Sequence, residues 1–183
     1  GVSLSVSAIA GEGTGMERDH DYSAACHFED LKTPQEVGKS AGERAVKRLN
    51  ARKIASQAVT VIYDRRVASS LLGHLSSAIN GAAIARGTSF LKSKMGQQIF
   101  SKGISVIDDP LRLRGLASRP FDGEGLSSSR RELIADGILT GWVLDLRSAR
   151  QLGLPPTGNG SRGLSSPPGP STSNLHLKPG QLS

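Results

Sequence analysis

The chain opens on alternation: Val2-Ser3-Leu4-Ser5-Val6-Ser7 sets apolar and polar residues in turn, which is the period of a half-buried strand. The pattern predicts a strand over 2–10, a turn through Gly11-Glu12-Gly13-Thr14-Gly15 and a returning strand from Met16 to Phe28, together a hairpin. Thr33-Pro34-Gln35-Glu36 then carries the Ser/Thr-x-x-Glu spacing of a capping box, with proline where a missing N–H costs nothing. Val37, Ala41, Ala45 and Leu49 recur every fourth residue, with Val46 beside them, while Lys39, Lys47, Arg48, Arg52 and Lys53 take other faces. This is an amphipathic helix expected to cover a sheet. The short β-branched run Ala58-Val59-Thr60-Val61-Ile62-Tyr63 predicts a strand, after which Asp64 caps a second helix reaching about Asn80, its apolar stripe being Val67, Leu71, Leu75 and Ile79.

Beyond Gly87 the period shortens. Ile104-Ser105-Val106-Ile107 predicts a strand stopped by Asp108-Asp109-Pro110, and Arg131 to Asp145 a hairpin folded at Asp136-Gly137, a dipeptide suited to the tightest hairpin turn. Ser148 to Leu152 allows a short helical turn. Six of the nine prolines fall after residue 154, among many Ser and Gly, which predicts a long loop ending in a short strand near Asn174 to Leu177. Strands and capped helices are thus mixed along the chain, and the fold class expected is α+β.

Composition narrows the functional classes. With 37% hydrophobic residues in 183, a modest core is affordable, and no run approaches eighteen consecutive apolar residues, so no membrane span is expected. The single cysteine excludes an internal disulfide framework, the N-terminal order is not that of a signal peptide, and a cytoplasmic setting follows as the expectation. Residue 1 is Gly, and a terminal strand needs neighbours to pair with, so the chain is expected to begin and end inside a larger protein whose absent portions would leave aggregation-prone strand edges. Charge is uneven: residues 1–36 carry seven acids against two bases, residues 37–183 nine acids against 21 bases, which suggests two surfaces with different neighbours.

Several side-chain groups could carry chemistry. His20, Asp21, Cys26 and His27 are metal-ligand types, but on one unbroken strand His20 and Cys26 face one side and Asp21 and His27 the other, so at most two could share an ion. Gly11-x-Gly13-x-Gly15 lacks a following helix and precedes acidic Glu17 and Asp19, which favours a hairpin turn over a phosphate loop. Residues 39–53 hold six bases and only Glu43, enough to meet a phosphate backbone, yet the bases surround the helix rather than line one stripe, and the seven aromatics are few for stacking single strands. Asp108-Asp109 and Asp122-x-Glu124 sit beside Pro or Gly, where acids cap turns, so capping is expected over acid/base catalysis. No Gly-x-Ser-x-Gly elbow is present, and His74 has no acid partner in view.

A set of stretches in order resembles the TldD/PmbA family of bacterial metallopeptidases on its PmbA side, also called TldE or modulator of DNA gyrase. They are Gly15-Met16-Glu17-Arg18-Asp19-His20-Asp21-Tyr22-Ser23, Leu71-Leu72-Gly73-His74-Leu75, Thr88-Ser89-Phe90-Leu91 and Met95-Gly96-Gln97-Gln98-Ile99. Further on come Gly115 to Gly125, Asp136-Gly137-Ile138-Leu139-Thr140, Ser148-Ala149-Arg150-Gln151-Leu152-Gly153 and Thr157-Gly158-Asn159-Gly160. The resemblance implies an α+β fold with a β-rich C-terminal domain, residues 1–55 being the end of a central domain and 56–183 the first part of the C-terminal one.

The resemblance also implies a division of labour. In the TldD subunit the corresponding helix bears His-Glu-x-x-x-His, two imidazoles for zinc and a general base. Here the matching stretch is Gly73-His74-Leu75-Ser76-Ser77-Ala78, so Gly73 and Ala78 stand at the ligand positions and His74 at the base. No catalytic, cofactor-binding or metal residue is therefore expected on this chain. The expectation is a PmbA/TldE-type subunit, inactive alone, that pairs with a zinc-bearing TldD-type subunit in the proteolysis of small or unfolded peptides and helps hold an extended peptide by strand addition. A DNA- or gyrase-associated regulator is the alternative of a different class, and a metal-free remnant that does not bind TldD is a third. His74 is expected to be a surface or partly buried histidine satisfied by a hydrogen bond.

Overall fold

The two N-terminal strands pair over their whole length. In the computed structural model, which describes residues 1–180, β1 (Val2–Ala10) and β2 (Glu17–Ala25) run antiparallel with Leu4 opposite Ser23, Val6 opposite Asp21 and Ala8 opposite Asp19. Leu4, Val6 and Ala8 are half-buried while the alternating serines stay exposed, as the two-residue period requires. The hairpin is closed by one 3-10 turn at Gly13–Gly15, so the glycine run is the turn the sequence predicted. The returning strand is shorter than predicted. It ends at Ala25, and Cys26 and His27 lie in the bend before a second 3-10 turn at Phe28–Asp30.

The first helix, α1 (Pro34–Lys47), starts at the predicted capping box: the Thr33 hydroxyl accepts from the Glu36 N–H at 3.3 Å, and the Glu36 carboxylate accepts from the Thr33 N–H at 2.8 Å. Val37, Ala41 and Ala45 are fully buried where α1 packs on both strands, and the two alanines let helix and hairpin approach closely. Val46 is exposed, and Arg52 and Lys53 lie beyond the helix, which is shorter than the basic stretch that suggested it. Residues 1–61 form one compact unit.

The strand predicted over 58–63 does not form. Val59, Val61 and Ile62 are exposed, and among the described residues nothing pairs with them; a β-branched run permits a strand, but only a neighbouring ladder makes one.

The unit from Ile62 onward begins with α2 (Arg65–Ala78), capped by the Asp64 carboxylate on the Arg66 N–H at 2.9 Å. Its predicted stripe is only half used: Leu75 and the following Ile79 are buried, whereas Val67 and Leu71 are about half exposed. The short α3 (Gly81–Arg86) follows, capped by Asn80 and ended by Gly87 in the left-handed conformation. Then come β3 (Val106–Asp108), β4 (Arg131–Ala135), β5 (Ile138–Leu139), α4 (Leu146–Leu152), β6 (Gly160–Ser161), β7 (Gly169–Pro170) and β8 (Leu175–Leu177).

An antiparallel sheet of order β5-β4-β3-β8 organises this unit. Its predicted hairpin turn is present, with positive φ at both Asp136 (47°) and Gly137 (83°), as a type I′ turn demands. The second arm is shorter than the predicted run to Asp145: β5 stops at Leu139, and Val143 instead bridges to Asn80 beside α3. The core gathers Ile79, Leu133, Ile134, Leu139, Trp142 and Val143, drawn from α2, the sheet and the segment before α4. The fold class is α+β, as expected.

Candidate functional site

Around the middle of α2 the second unit carries a cleft of about 500 Å³. One wall is α2 itself, with Leu71, His74 and Ala78; the other is the segment Thr88-Ser89-Phe90-Leu91 and the pair Ile99-Phe100. Ser89 fixes the facing segment by donating its hydroxyl to the Ala78 carbonyl at 2.6 Å while accepting from the Leu91 N–H at 3.1 Å. Phe90 and Phe100 leave much of their rings exposed at its edge. The lining is chiefly apolar, with hydroxyls and one imidazole as its polar groups.

His74 is exposed and, among the described residues, makes no hydrogen bond or ion pair, so the hydrogen-bonded histidine expected from the sequence is corrected. Gly73 offers no donor, and a Cβ built there meets nothing within 4 Å; Ala78 presents a methyl to the core. The other polar groups of the cleft are the hydroxyls of Ser77, Thr88 and Ser89, poor zinc ligands beside imidazole and thiolate. One imidazole with three hydroxyls does not fit a zinc site, and no step through a metal follows from this cleft.

The other groups named from the sequence lie elsewhere. Among the described residues no three His, Cys, Asp or Glu side chains converge as a metal site. His20 is exposed on β2, and Asp21 is buried under α1. The Ser40 hydroxyl and the Tyr22 N–H hold the Asp21 carboxyl below the usual carboxylate range, helped by the charges of Lys32, at 3.8 Å, and Arg44, with burial opposing. It is a structural carboxylate.

Both acid pairs cap backbone. Asp109 accepts from the Leu111 N–H at 3.0 Å, and Glu124 from the Leu146 N–H at 2.8 Å. Buried Asp122 accepts from the N–H groups of Glu124, Leu126 and Gly160. Buried Asp108 accepts from the Ser173 N–H and hydroxyl, each at 2.7 Å, and from Asn159. The donors from Asn159, Gly160 and Ser173 tie the 159–173 loop to Asp108 and Asp122, so these two buried carboxylates hold structure.

A second cleft, of about 400 Å³ and more polar, was not foreseen. It is lined by Leu126, Ser127, Ser129, Arg131 and the run Pro155-Pro156-Thr157-Gly158. Only the proline pair and the serine cluster marked this region in the sequence, and neither signals a site.

Residues 56–183 match the PmbA/TldA metallopeptidase C-terminal domain, and residues 1–49 the central domain of the same family. The chain is 43% identical over 157 residues to Metalloprotease PmbA of Escherichia coli O157:H7, and 36% identical over 157 residues to a Metalloprotease PmbA homolog of Haemophilus influenzae. Each alignment covers 86% of this chain and 35% of the relative, so the chain spans about a third of the length of the curated relatives it matches. Among solved structures, a candidate modulator of a DNA gyrase from Thermotoga maritima superposes with a TM-score of 0.87 at 31% identity, over 99% of this chain and 41% of that one. TldE from Thermococcus kodakarensis gives 0.74 at 24% identity over the same shares, a likeness of fold alone.

Proposed function

The chain belongs to the PmbA/TldD metallopeptidase family, and from that premise we propose that it is part of a PmbA/TldE-type subunit working beside a zinc-bearing TldD-type partner in the breakdown of small or unfolded peptides. The observation that supports this reading is the donor set beside α2, where the polar groups of the cleft are the His74 imidazole and the hydroxyls of Ser77, Thr88 and Ser89; by the resemblance, Gly73, His74 and Ala78 would take the places of two imidazoles and a carboxylate. A chain built this way contributes surface rather than metal. The apolar cleft beside α2, open at Phe90 and Phe100, suits contact with an extended, partly apolar chain, while the hydrolytic water is activated on the partner.

No described helix is long and apolar enough to cross a membrane, and a cytoplasmic location accords with a chain that carries a single cysteine. The test is co-purification of the full-length protein with its TldD-type subunit, followed by metal analysis and an unfolded-peptide cleavage assay on each subunit and on the pair. Cleavage by the pair alone, with zinc tracking the partner, is the expected result. Chelator-sensitive cleavage by the full-length PmbA-type subunit alone overturns the proposal.

A further inference from the structure

Arg131, the first residue of β4, is only partly exposed, and its guanidinium lines the polar cleft walled by Ser127, Ser129, Leu126 and Pro155-Pro156. One of its N–H groups is used: Nη1 donates to the Trp142 carbonyl at 3.0 Å. Among the described residues no carboxylate reaches it within ion-pair distance, whereas its neighbour Arg130 lies 3.9 Å from Asp109. Asp108 stands directly opposite on β3, but its oxygens are taken up by Ser173 and Asn159. Space for the guanidinium is made by Gly141, where a Cβ would come within 2.7 Å of Nη2.

A guanidinium withdrawn from water without a bound anion is costly, and burial accordingly pulls Arg131 below its ordinary value, with the charge of Asp108 opposing. Its planar fork matches a carboxylate, which accepts two parallel N–H bonds. The exposed serine hydroxyls add donors at the mouth, and the two prolines with Leu126 offer a flat apolar wall. A cleft lined by a single cation suits a monoanion better than a phosphate dianion, and a volume near 400 Å³ holds one or two amino-acid residues.

We infer that the Arg131 cleft binds the C-terminal carboxylate of a peptide, the guanidinium gripping the carboxylate, Ser127 and Ser129 donating to it, and the terminal side chain lying on Pro155-Pro156. The choice of a peptide as ligand rests on the peptide-handling function proposed above; the affinity for a carboxylate does not.

The test uses the full-length protein in complex with its TldD-type subunit and two probes, N-acetyl-dialanine with a free carboxylate and the same compound as its amide, titrated by NMR. The free acid is expected to bind at least about tenfold tighter, since a charge-assisted bidentate bond is lost in the amide. R131Q should erase that preference and R131K reduce it, because an ammonium keeps the charge without the fork. The comparison of acid with amide on the unaltered protein needs no variant, so a misfolded R131Q leaves it decisive. Equal binding of the two probes, no binding of either, or a preference that survives in folded R131Q overturns the inference. Cleavage of unfolded peptide by the pair is read separately, so the carboxylate site can fail while the proposed function stands.

Discussion

The side-chain amide of Asn159 donates to the carboxylate of Asp108 at 2.9 Å, joining two buried residues 51 positions apart. Asp108 ends the central strand β3, and Asn159 leads into β6, so the bond fastens the Pro-rich loop to the sheet. Thr157 completes the link by donating to the side-chain Oδ1 of Asn159 at 2.8 Å and accepting from the Leu144 N–H at 2.8 Å.

Breaking this junction should loosen the second unit. Asp108→Asn turns an acceptor into a donor facing the Ser173 N–H, and should cost about 2–4 kcal/mol; Asn159→Ala leaves a buried carboxylate one donor short, about 1–3 kcal/mol. Trp142, the only tryptophan and buried in this core, reports the transition by fluorescence in urea. Midpoints unchanged in both variants would show that the loop is held by other contacts.

Gly137 is a second point of dependence. Its φ of 83° and the close approach of the Phe100 carbonyl leave no place for a methyl group. Gly137→Ala should cost about 2–4 kcal/mol from the left-handed backbone and the forced displacement together. Hydrogen exchange at the Gly137 N–H partner position, where the amide donates to Ile104, should rise in the same variant if the Ala equivalent is accommodated by opening the turn.

The first unit should weaken in acid. The folded Asp21 carboxyl lies below its unfolded value of about 3.9, so its contribution is fully present above that pH and is lost as pH falls through the folded value. Hydrogen exchange of the β1–β2 amides should therefore accelerate, relative to the intrinsic rate, as pH drops below about 4. Asp21→Asn should remove that part of the acid response and cost about 1–2 kcal/mol at neutral pH. An acid response identical in D21N would place its origin in another carboxylate.

Salt separates the proposed assembly from the nucleic-acid alternative. If the excess of bases after residue 36 grips phosphates, affinity of the full-length protein for duplex DNA should fall steeply and linearly in log–log form with salt. Assembly with the TldD-type subunit through a mixed apolar surface should change little over the same range. Tight DNA binding at physiological salt with no partner assembly would favour the regulatory reading.

Local signals in the sequence were reliable wherever the deciding contact is local. The capping box needs only Thr33 and Glu36, the cap of α2 only Asp64 and Arg66, and the type I′ turn only Asp136 and Gly137, because each bond closes within a few residues. The family resemblance was legible for a related reason, as it rests on the order of many short stretches. The strand expected over 58–63 failed because its pairing depends on a partner that its own residues cannot specify. The stripe of α2 divided for the same reason: Leu75 and Ile79 meet the core, while Val67 and Leu71 do not.

The sequence by itself determined the α+β class, the caps of α1 and α2, the hairpin turns and membership of the family. Only the tertiary structure decided that Asp108 and Asp122 accept from a distant loop and that Arg131 lacks a carboxylate partner among the described residues. Burial and hydrogen bonding of a charged side chain are set by residues far along the chain: Gly141 makes room for Arg131, the Trp142 carbonyl accepts a hydrogen bond from it and Pro155-Pro156 walls its cleft. No spacing rule joins those positions, since the sheet and the loop that bring them together exist only once the chain has folded.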